Sequence, residues 1–348
     1  MKRPLVRSAM LLLLAAPLML LFLVVQSTPA SVGASGKASS AAAVAQARAK
    51  FIKVMSAHAP AVGGSRGWVS PGVQGHGPVK AANGSVTGAQ SINWSGYADS
   101  ESGTKTVSQV SGSWTIPSTQ CLPAPYENQD AFIANWVGID GYTDQTVEQL
   151  GTATQCFEGV EYYYVWYEMY PAGTVEEGTT ACINSNVDCP QPGDKVSASV
   201  SVTAAGSGEN SYDLTLTDHS RPAESFAVTQ QCATATCLDA SAEWVVERPA
   251  AAPPPPAPVQ VLPLADFSRT GFTSAGVASG GRATSVQGFK DGPVSDIAMI
   301  DDTDSYYLAC VGQPAPPGTL LSVTQASACP AVTPSPSGGF KESWDSSF

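Results

Sequence analysis

Two side chains on segments rich in apolar and aromatic residues are suited to acid–base chemistry, the carboxamide of Gln149 and the carboxylate of Glu243. A glutamate can take a proton from water and return it to a leaving group, most efficiently when its pKa lies near the working pH. A glutamine cannot titrate, but its NH₂ group can donate to a developing oxyanion. Because burial raises the pKa of a glutamate above about 4.3, this pair predicts an acid-active enzyme.

Few other hydrolytic mechanisms fit the composition. Of the three histidines, His58 and His76 lie in the N-terminal basic segment, which leaves only His219 for a Ser-His-Asp or Cys-His mechanism. The sequence has no His-Glu-x-x-His motif, no Asp-Thr-Gly or Asp-Ser-Gly motif and no phosphate-binding glycine loop. The cysteine spacings do not resemble those of zinc sites. We therefore expect neither a metal nor a cofactor.

Three predicted strands carry many of the polar candidates, and strand side chains alternate between two faces with a period of two. These strands are 132–140, 146–150 and 162–171. The alternation places Trp136 and Asp140 on one face of the first strand. On the second strand it places Gln149 on the face opposite to Glu148.

The third predicted strand presents an aromatic row around one carboxylate. The row consists of Tyr162, Tyr164, Trp166, Glu168 and Tyr170. Aromatic side chains beside polar groups suit an extended ligand such as a peptide or a glycan. A sandwich core whose tyrosine hydroxyls reach the surface would give the same pattern.

Alternating strands continue to the C-terminal part of the chain. Residues 241–247 form one of them, in which Glu243 projects opposite to Trp244. Further strands are predicted at 195–203, 259–267, 295–300, 305–311, 320–324 and 340–344. Many short alternating strands with little helical periodicity indicate an all-β antiparallel sandwich or barrel. Because strand patterning resumes after the polyproline run, we expect one domain over 91–348 with a Pro-rich loop insertion at 249–258.

The N-terminus has the pattern of a secretory signal peptide. Basic residues precede an apolar run over 10–25, and cleavage is predicted after Ala30 or Ala34, so we assign 1–34 to the signal. A retained membrane anchor is the alternative, but the run is short for a span and contains Pro17. We expect a secreted protein without stable membrane insertion.

Residues 35–90 are predicted to be a basic propeptide and linker. A helix begins at Ser39 or Ser40 and carries apolar residues on one side. Residues 60–90 are rich in Gly, Ser, Pro and Val and are predicted to be loop or extended linker.

Charge divides the chain sharply. Residues 1–90 contain nine Lys or Arg and no acid, whereas residues 91–348 contain eight Lys or Arg and all 29 acids, a balance of −21. Such an acidic body repels nucleic acid and suits work at low pH. We hypothesise that the basic segment 35–90 lies across the active-site face at neutral pH and that acid releases it. A leader of no functional consequence is the alternative.

Eight cysteines lie downstream of the signal and fit an exported protein with four disulfides. They are Cys121, Cys156, Cys182, Cys189, Cys232, Cys237, Cys310 and Cys329. The close spacings suggest Cys182–Cys189 and Cys232–Cys237, after which Cys121–Cys156 and Cys310–Cys329 would follow. Eight cysteines nevertheless allow about 105 connectivities, so this pairing is one choice among many.

Five motifs, in this order, resemble those of the glutamic peptidases, or eqolisins. They are Asn93-Trp94-Ser95-Gly96-Tyr97, Trp136-Val137-Gly138-Ile139-Asp140-Gly141, Gln149-Leu150-Gly151, Trp166-Tyr167-Glu168-Met169-Tyr170-Pro171 and Ser241-Ala242-Glu243-Trp244-Val245-Val246-Glu247. The similarity runs from about residue 91 to the C-terminus. It implies a secreted acid endopeptidase made with a propeptide, whose fold is a concanavalin-like sandwich of two curved antiparallel sheets.

The resemblance also implies residue roles. Glu243 matches the family's glutamate, which activates water and then protonates the leaving amine, and Gln149 matches the glutamine that holds the oxyanion. The fungal pattern is one residue longer before the glutamine, which would place Leu150 there, but the Gln-x-Gly pattern selects Gln149 over its neighbours Gln145 and Glu148. The residues expected to bind substrate in or beside the cleft are Trp94, Trp136, Asp140, Trp166 and Glu168. We expect a monomer that acts on proteins and peptides and is inhibited by its own propeptide.

Two other functions fit parts of the sequence. A curved sandwich with an aromatic face could bind glycans as a lectin-like module without catalysis. A glycoside hydrolase would need two carboxyl groups about 5–10 Å apart, for which Glu168 and Glu243 are candidates. Replacing Gln149 distinguishes these possibilities, because a two-carboxylate glycosidase could survive the change and the peptidase could not.

Overall fold

The chain folds as antiparallel β-structure, which confirms the fold class predicted from the alternating pattern. A computed structural model describes residues 40–56, 69–71, 79–81, 84–91, 93–100, 106–121, 129–142, 144–203, 210–233, 237–251, 260–267, 270–280, 282–285, 294–300, 307–311 and 321–324. All of these lie within one compact unit, Lys37–Phe348. The predicted signal peptide and the predicted strand 340–344 lie outside the described residues.

Within the described ranges, two α-helices and one short 3-10 helix accompany the strands. The helices are α1 (Ala41–Met55) and α2 (Thr180–Ser185), and the 3-10 turn is Pro222–Glu224. The strands are β1 (Val69–Pro71), β2 (Val79–Ala81), β3 (Gly84–Ser91), β4 (Trp94–Ser100), β5 (Val107–Thr115), β6 (Thr119–Gln120), β7 (Ala131–Ile139), β8 (Val147–Phe157), β9 (Val160–Tyr170), β10 (Thr174–Glu177), β11 (Lys195–Thr203), β12 (Ser211–Asp218), β13 (Phe226–Gln231), β14 (Ser241–Glu247), β15 (Ala250–Ala251), β16 (Gln260–Val261), β17 (Asp266–Phe267), β18 (Thr270–Ser279), β19 (Arg282–Ser285), β20 (Val294–Ile300), β21 (Tyr307–Val311) and β22 (Leu321–Thr324).

Most strands belong to two sheets. The first sheet runs in the order β10, β9, β8, β7, β14, β4, β20 and β3, with β1 and β2 paired to β3. The second runs in the order β13, β12, β11, β5 and β18, with β19 and β22 paired to β18. Strand β21 pairs with both β20 and β22 and so joins the sheets.

The hydrophobic core lies between the two sheets, and the period-two alternation supplies it. From β11 and β14 it takes Val196, Ala198, Val200, Ala242, Trp244 and Val246, all buried. The indole of Trp244 donates to the carbonyl of Ser111 across the core, at 2.7 Å. Because Trp244 faces inward, Glu243 faces the opposite side of the first sheet, as the sequence predicts.

Helix α1 covers that opposite side, which we call the helix-covered face. Ser40 caps the helix by accepting a hydrogen bond from the amide of Ala43 at 3.2 Å, close to the predicted start. Its apolar residues form a second buried cluster with aromatic residues of β4, β7 and β9. On α1 these residues are Val44, Ala47, Phe51 and Met55.

Three of the four predicted disulfides are present. They are Cys121–Cys156, Cys182–Cys189 and Cys232–Cys237. Cys329, in the fourth predicted pair, lies outside the described residues. In the part of the chain that the structure describes, no helix is long and apolar enough to cross a membrane.

Two secondary-structure predictions were wrong. Within the range 60–90, which was predicted to be loop or extended linker, the described residues form β1, β2 and most of β3, and β3 pairs in parallel with β20 from Val86 to Ser91. Backbone hydrogen bonds hold an added strand whether or not its sequence alternates, so side-chain pattern did not reveal it. The predicted strand 259–267 is two short strands, because Pro263 lacks the amide hydrogen that a continuous ladder requires.

Candidate active site

One row of residues crosses five neighbouring strands on the helix-covered face. Glu243 on β14 lies opposite Gly138 on β7, and Gly138 lies opposite Gln149 on β8. Gln149 lies opposite Glu168 on β9, which in turn lies opposite Thr174 on β10. Directly opposed residues share a face, so the row directs these side chains to the same side. Two strand spacings separate the backbones of Glu243 and Gln149 by roughly 10 Å.

Gly138 leaves an opening in the middle of this row. A Cβ atom at this position would lie 3.0 Å from the ring of Trp136 and 3.1 Å from the Cβ of Gln149. With a glycine there, no side chain separates Gln149 from Glu243. The two groups can therefore act on one atom placed between them.

Replacing Gly138 by alanine should lower kcat/KM for a peptide by about 10- to 100-fold, because a displacement of about 1 Å can cost that much. The added methyl group must push aside either Trp136 or Gln149. Steady-state kinetics on a short fluorogenic peptide would measure the loss. Thermal unfolding followed by circular dichroism provides the control, and wild-type kinetics from the folded variant would contradict a role for this opening.

A chain of hydrogen bonds orients the Gln149 amide. Its Nε2 donates to Oε2 of Glu168 at 2.8 Å, and the hydroxyl of Thr174 donates to Oε1 of Glu168 at 3.0 Å. The amide of Thr174 donates to the hydroxyl of Ser56, at the C-terminal end of α1, at 2.9 Å. Two residues, Thr174 and Glu168, therefore connect the end of α1 to the catalytic candidate Gln149 through hydrogen bonds.

A second buried carboxylate supports the tryptophans of the site. Glu247 accepts hydrogen bonds from the indole N–H of Trp136 at 2.8 Å and from the side-chain amide Nδ2 of Asn93 at 3.2 Å. The ring of Trp94 meets that of Trp136 edge to face, with centroids 4.9 Å apart. Both rings are thereby fixed beneath α1.

Glu243 is in an environment that strongly favours its neutral form. Burial raises the pKa of Glu243 well above its usual value, and the nearby acids Asp140, Asp144 and Asp99 raise it further. The hydroxyl of Ser241 is close enough to oppose this shift. Even so, neither carboxyl oxygen of Glu243 has a hydrogen bond of good geometry to the described residues.

Asp140 holds the segment that leads into β14. Its carboxylate accepts hydrogen bonds from the amides of Leu238, Asp239 and Ala240 at 2.9, 2.8 and 2.6 Å. Burial and the neighbouring Asp144 raise the pKa of Asp140 to about 8, although the amide donors oppose the rise. The strand ends before Asp140, where φ is 69°, so its side chain leaves the alternation that was expected to continue from Trp136.

Helix α1 fills the aromatic part of the face. Phe51 stacks on Tyr164 with ring centroids 3.9 Å apart. Arg48 also lies near this ring, with its guanidinium 4.9 Å from the Tyr164 centroid. Arg48 also forms an ion pair with Glu176 and donates to the carbonyl of Cys182 at 2.6 Å. Gln149 and Glu243 are both 0% exposed in this arrangement.

The structure brings most of the predicted site residues together. Residues that share the helix-covered face are Gln149, Glu243, Trp94, Trp136, Trp166 and Glu168. Sequence reasoning did not single out Gly138, Thr174 or Glu247. The period-two pattern could have identified Glu247, which is four residues after Glu243 on the same strand.

One group of three potential metal ligands occurs among the described residues. The ligand atoms of Glu148, Cys232 and Cys237 lie within 4.8 Å of one another. The two sulfur atoms form a disulfide, however, and a metal-binding cysteine must be a thiolate. The oxidised site is therefore unsuited to a metal.

Fold and site together define a two-sheet antiparallel β-sandwich in which one face carries a glutamate and a glutamine among buried aromatic rings. A sequence model of the peptidase A4 family matches residues 92–309. The match covers more than half of the chain, and the chain therefore belongs to the peptidase A4 family, the eqolisins. This confirms the resemblance to glutamic peptidases. A comparison with curated protein sequences finds no significant match.

Two solved structures of scytalido-glutamic peptidase have a similar fold. Scytalido-glutamic peptidase with a peptide-based transition state analog has a TM-score of 0.50 and 21% identity, covering 68% of this chain and 98% of that chain. The same peptidase with a transition state analog inhibitor has a TM-score of 0.51, with the same identity and coverage. Aspergilloglutamic peptidase from Aspergillus niger has a TM-score of 0.40 and 21% identity, covering 56% of this chain and 99% of that chain.

Proposed function

We propose that this peptidase is a secreted, acid-active endopeptidase that hydrolyses peptide bonds with Glu243 and Gln149. The observation that carries the proposal is the row in which Gly138, on the strand between them, alone separates Glu243 from Gln149. A peptide carbonyl placed over Gly138 can meet Gln149 on one side and a water held by Glu243 on the other. The aromatic rings of the same face provide contact area for an extended peptide.

Each residue has a distinct task in this mechanism. Ionised Glu243 takes a proton from water as the oxygen attacks the carbonyl carbon, and it then gives the proton to the departing amine. The Nε2 group of Gln149 donates to the developing oxyanion, while Glu168 fixes the orientation of the amide. Glu168 is a weaker candidate for a glycosidase acid, because both of its oxygens already accept hydrogen bonds from Gln149 and Thr174.

Acid activity follows from the environment of Glu243. Burial raises its pKa well above the usual value while α1 covers the site. When the helix leaves, water can solvate the carboxylate, and the pKa should fall toward the acid range in which a base of this kind works. The surrounding acids Asp140, Asp144 and Asp99 keep that pKa above the value of an isolated glutamate.

We further propose that the basic segment 35–90 inhibits the enzyme until acid releases it. The support is the position of α1 over the aromatic rings and the two ion pairs that it makes, Arg48–Glu176 and Lys50–Asp130. Both partners are carboxylates, which acid neutralises. The three disulfides fit an extracellular site of action.

Digestion of a denatured protein from pH 2 to 7 would test the proposed function. The acid-processed protein should cleave only in acid, with pepstatin or a metal chelator having no effect. Gln149→Met keeps the side-chain volume but removes the amide, and it should lower kcat by about 10²–10³-fold. Gln231→Met, an exposed change on β13, is the matched control. A folded, processed protein that cleaves at no pH, or a fully active Gln149→Met, would refute the assignment.

A further inference from the structure

Glu148 is a buried acid directly behind the catalytic row. It precedes Gln149 on β8 and faces the core side of the first sheet, where it is completely buried. Its Oε1 atom lies 3.0 Å from Sγ of Cys237. Among the described residues, its Oε2 atom has no hydrogen-bond partner.

Only Glu148 can be the donor in a hydrogen bond between these two groups. Cys237 is in a disulfide with Cys232, so its sulfur carries no hydrogen to donate. An ionised carboxylate is an acceptor only, and it would place its lone pairs against those of the sulfur at this distance. A neutral carboxyl group can instead donate its O–H to the sulfur. The observed contact is therefore a hydrogen bond only when Glu148 is protonated.

The contact joins the two strands that carry the proposed dyad. Cys237 begins the described segment 237–240, which continues directly into β14. The amides of this segment bind Asp140 at the end of β7, so it is held from two directions. Glu148 therefore links the strand of Gln149 to the strand of Glu243 on the core side of the sheet.

We propose that Glu148 is a positioning residue: as a neutral acid it donates a hydrogen bond to the Cys232–Cys237 disulfide and thereby aligns Gln149 with Glu243. This inference rests on the proposed function, and it adds a residue on the opposite face of the sheet. A consequence is that the alignment depends on pH without any change in the dyad itself.

Among the described residues, the titratable groups that interact electrostatically with Glu148 are acidic. They are the carboxyl groups of Asp140, Asp144, Asp239 and Glu243 and the phenol of Tyr212. Burial raises the pKa of Glu148 well above its usual value, and the four carboxyl groups raise it further when they are ionised. A raised pKa in the folded state means that its contribution to stability is complete below about pH 4.5 and is lost as the pH rises through the folded-state value. The alignment should therefore weaken as the pH rises through this raised pKa.

Two variants of the acid-processed enzyme test the proposal. Glu148→Leu removes the donor at similar volume and should lower kcat in acid by about tenfold with little change in KM. Glu148→Gln keeps a neutral donor, so it should retain more of kcat than the leucine variant. It should also move the upper limb of the pH–kcat profile to higher pH, because it cannot ionise. Near-UV circular dichroism checks that both variants fold.

A merely structural role predicts different results. If Glu148→Leu has wild-type kcat, or if the upper limbs of Glu148→Gln and wild type coincide, the proposal is wrong. In a Cys232→Ala/Cys237→Ala background the acceptor is absent, so Glu148→Gln should no longer exceed Glu148→Leu in kcat. An undiminished difference in that background would also overturn the assignment.

A measurement of the protons released on unfolding separates this proposal from the proposed function. The number of protons released on unfolding between pH 5 and 7 can be obtained from the pH dependence of stability without any catalysis. In the Glu243→Gln background, Glu148→Gln should reduce that number, by at most about one proton. If wild type never cleaves peptides but this change is seen, the peptidase mechanism fails and the neutral buried acid stands. If the proton number is unchanged, Glu148 is not the group described here.

Discussion

Replacing Glu243 by glutamine should lower kcat/KM for a peptide substrate by about 10²–10⁴-fold, the range typical of a lost general acid–base. The substitution keeps the size of the side chain, so the buried position on β14 and its register with Gly138 should persist. The amide cannot accept the proton of the attacking water. Steady-state kinetics on a fluorogenic peptide between pH 2 and 6 would measure the loss.

The matched control for this change is Glu158→Gln. It makes the same chemical substitution at an exposed turn between β8 and β9, far along the strands from the row. The control should keep wild-type kinetics, and both variants should melt as wild type does in acid. Substantial activity of folded Glu243→Gln would remove Glu243 from the mechanism.

The pH dependence of kcat/KM provides a second test of the role of Glu243. The base must be ionised, so the acid limb of kcat/KM reports the pKa of Glu243 in the free enzyme. Because Asp140, Asp144 and Asp99 all raise that pKa, neutralising one of them should move the limb to lower pH. Asp99→Asn is the change of choice, since Asp140 also holds the segment that leads into β14.

The sequence predicted the strands of the site well, because local alternation determines which side chains share a face. The bounds of β11 and β14 agree with the predicted ranges, and the aromatic row of β9 lies on one face. Register between strands is different, since it depends on pairings that no local pattern reveals. That Gly138 lies between Glu243 and Gln149 could be known only from the structure.

Contacts between segments that are distant in the sequence could not be predicted from local patterns either. Thr174 reaches Glu168 because β10 folds back on β9, and Ser56 reaches Thr174 from a part of the chain more than a hundred residues earlier. The charge asymmetry of the sequence suggested that the basic segment meets the acidic body. It could not show that Phe51 would stack on Tyr164, a contact set by the packing of α1 on the sheet.

Replacing Arg48 and Phe51 of the precursor by alanine should release activity that the wild-type precursor lacks near pH 6. Burying the Phe51 side chain contributes about 1.5–3 kcal/mol, and breaking a buried ion pair such as Arg48–Glu176 costs about 3–5 kcal/mol. Loss of even about 4 kcal/mol weakens binding of the helix by roughly 10³-fold. The measurement is the initial rate of peptide cleavage by full-length precursor, before any processing appears on a gel.

Lys53→Ala provides the matched control, because it removes a basic residue from the same helix at an exposed position. The Lys53→Ala precursor should be as inactive as the wild-type precursor. If the net positive charge of the segment alone caused the inhibition, replacing Lys53 or replacing Arg48 would have the same effect. Lowering the pH should reduce the difference in activity between wild type and the double variant, since acid neutralises the carboxylates that hold α1 in wild type. If the double variant remains inactive until residues 35–90 are cleaved away, α1 does not block the site by these contacts. The inhibition would then have to arise elsewhere in the segment.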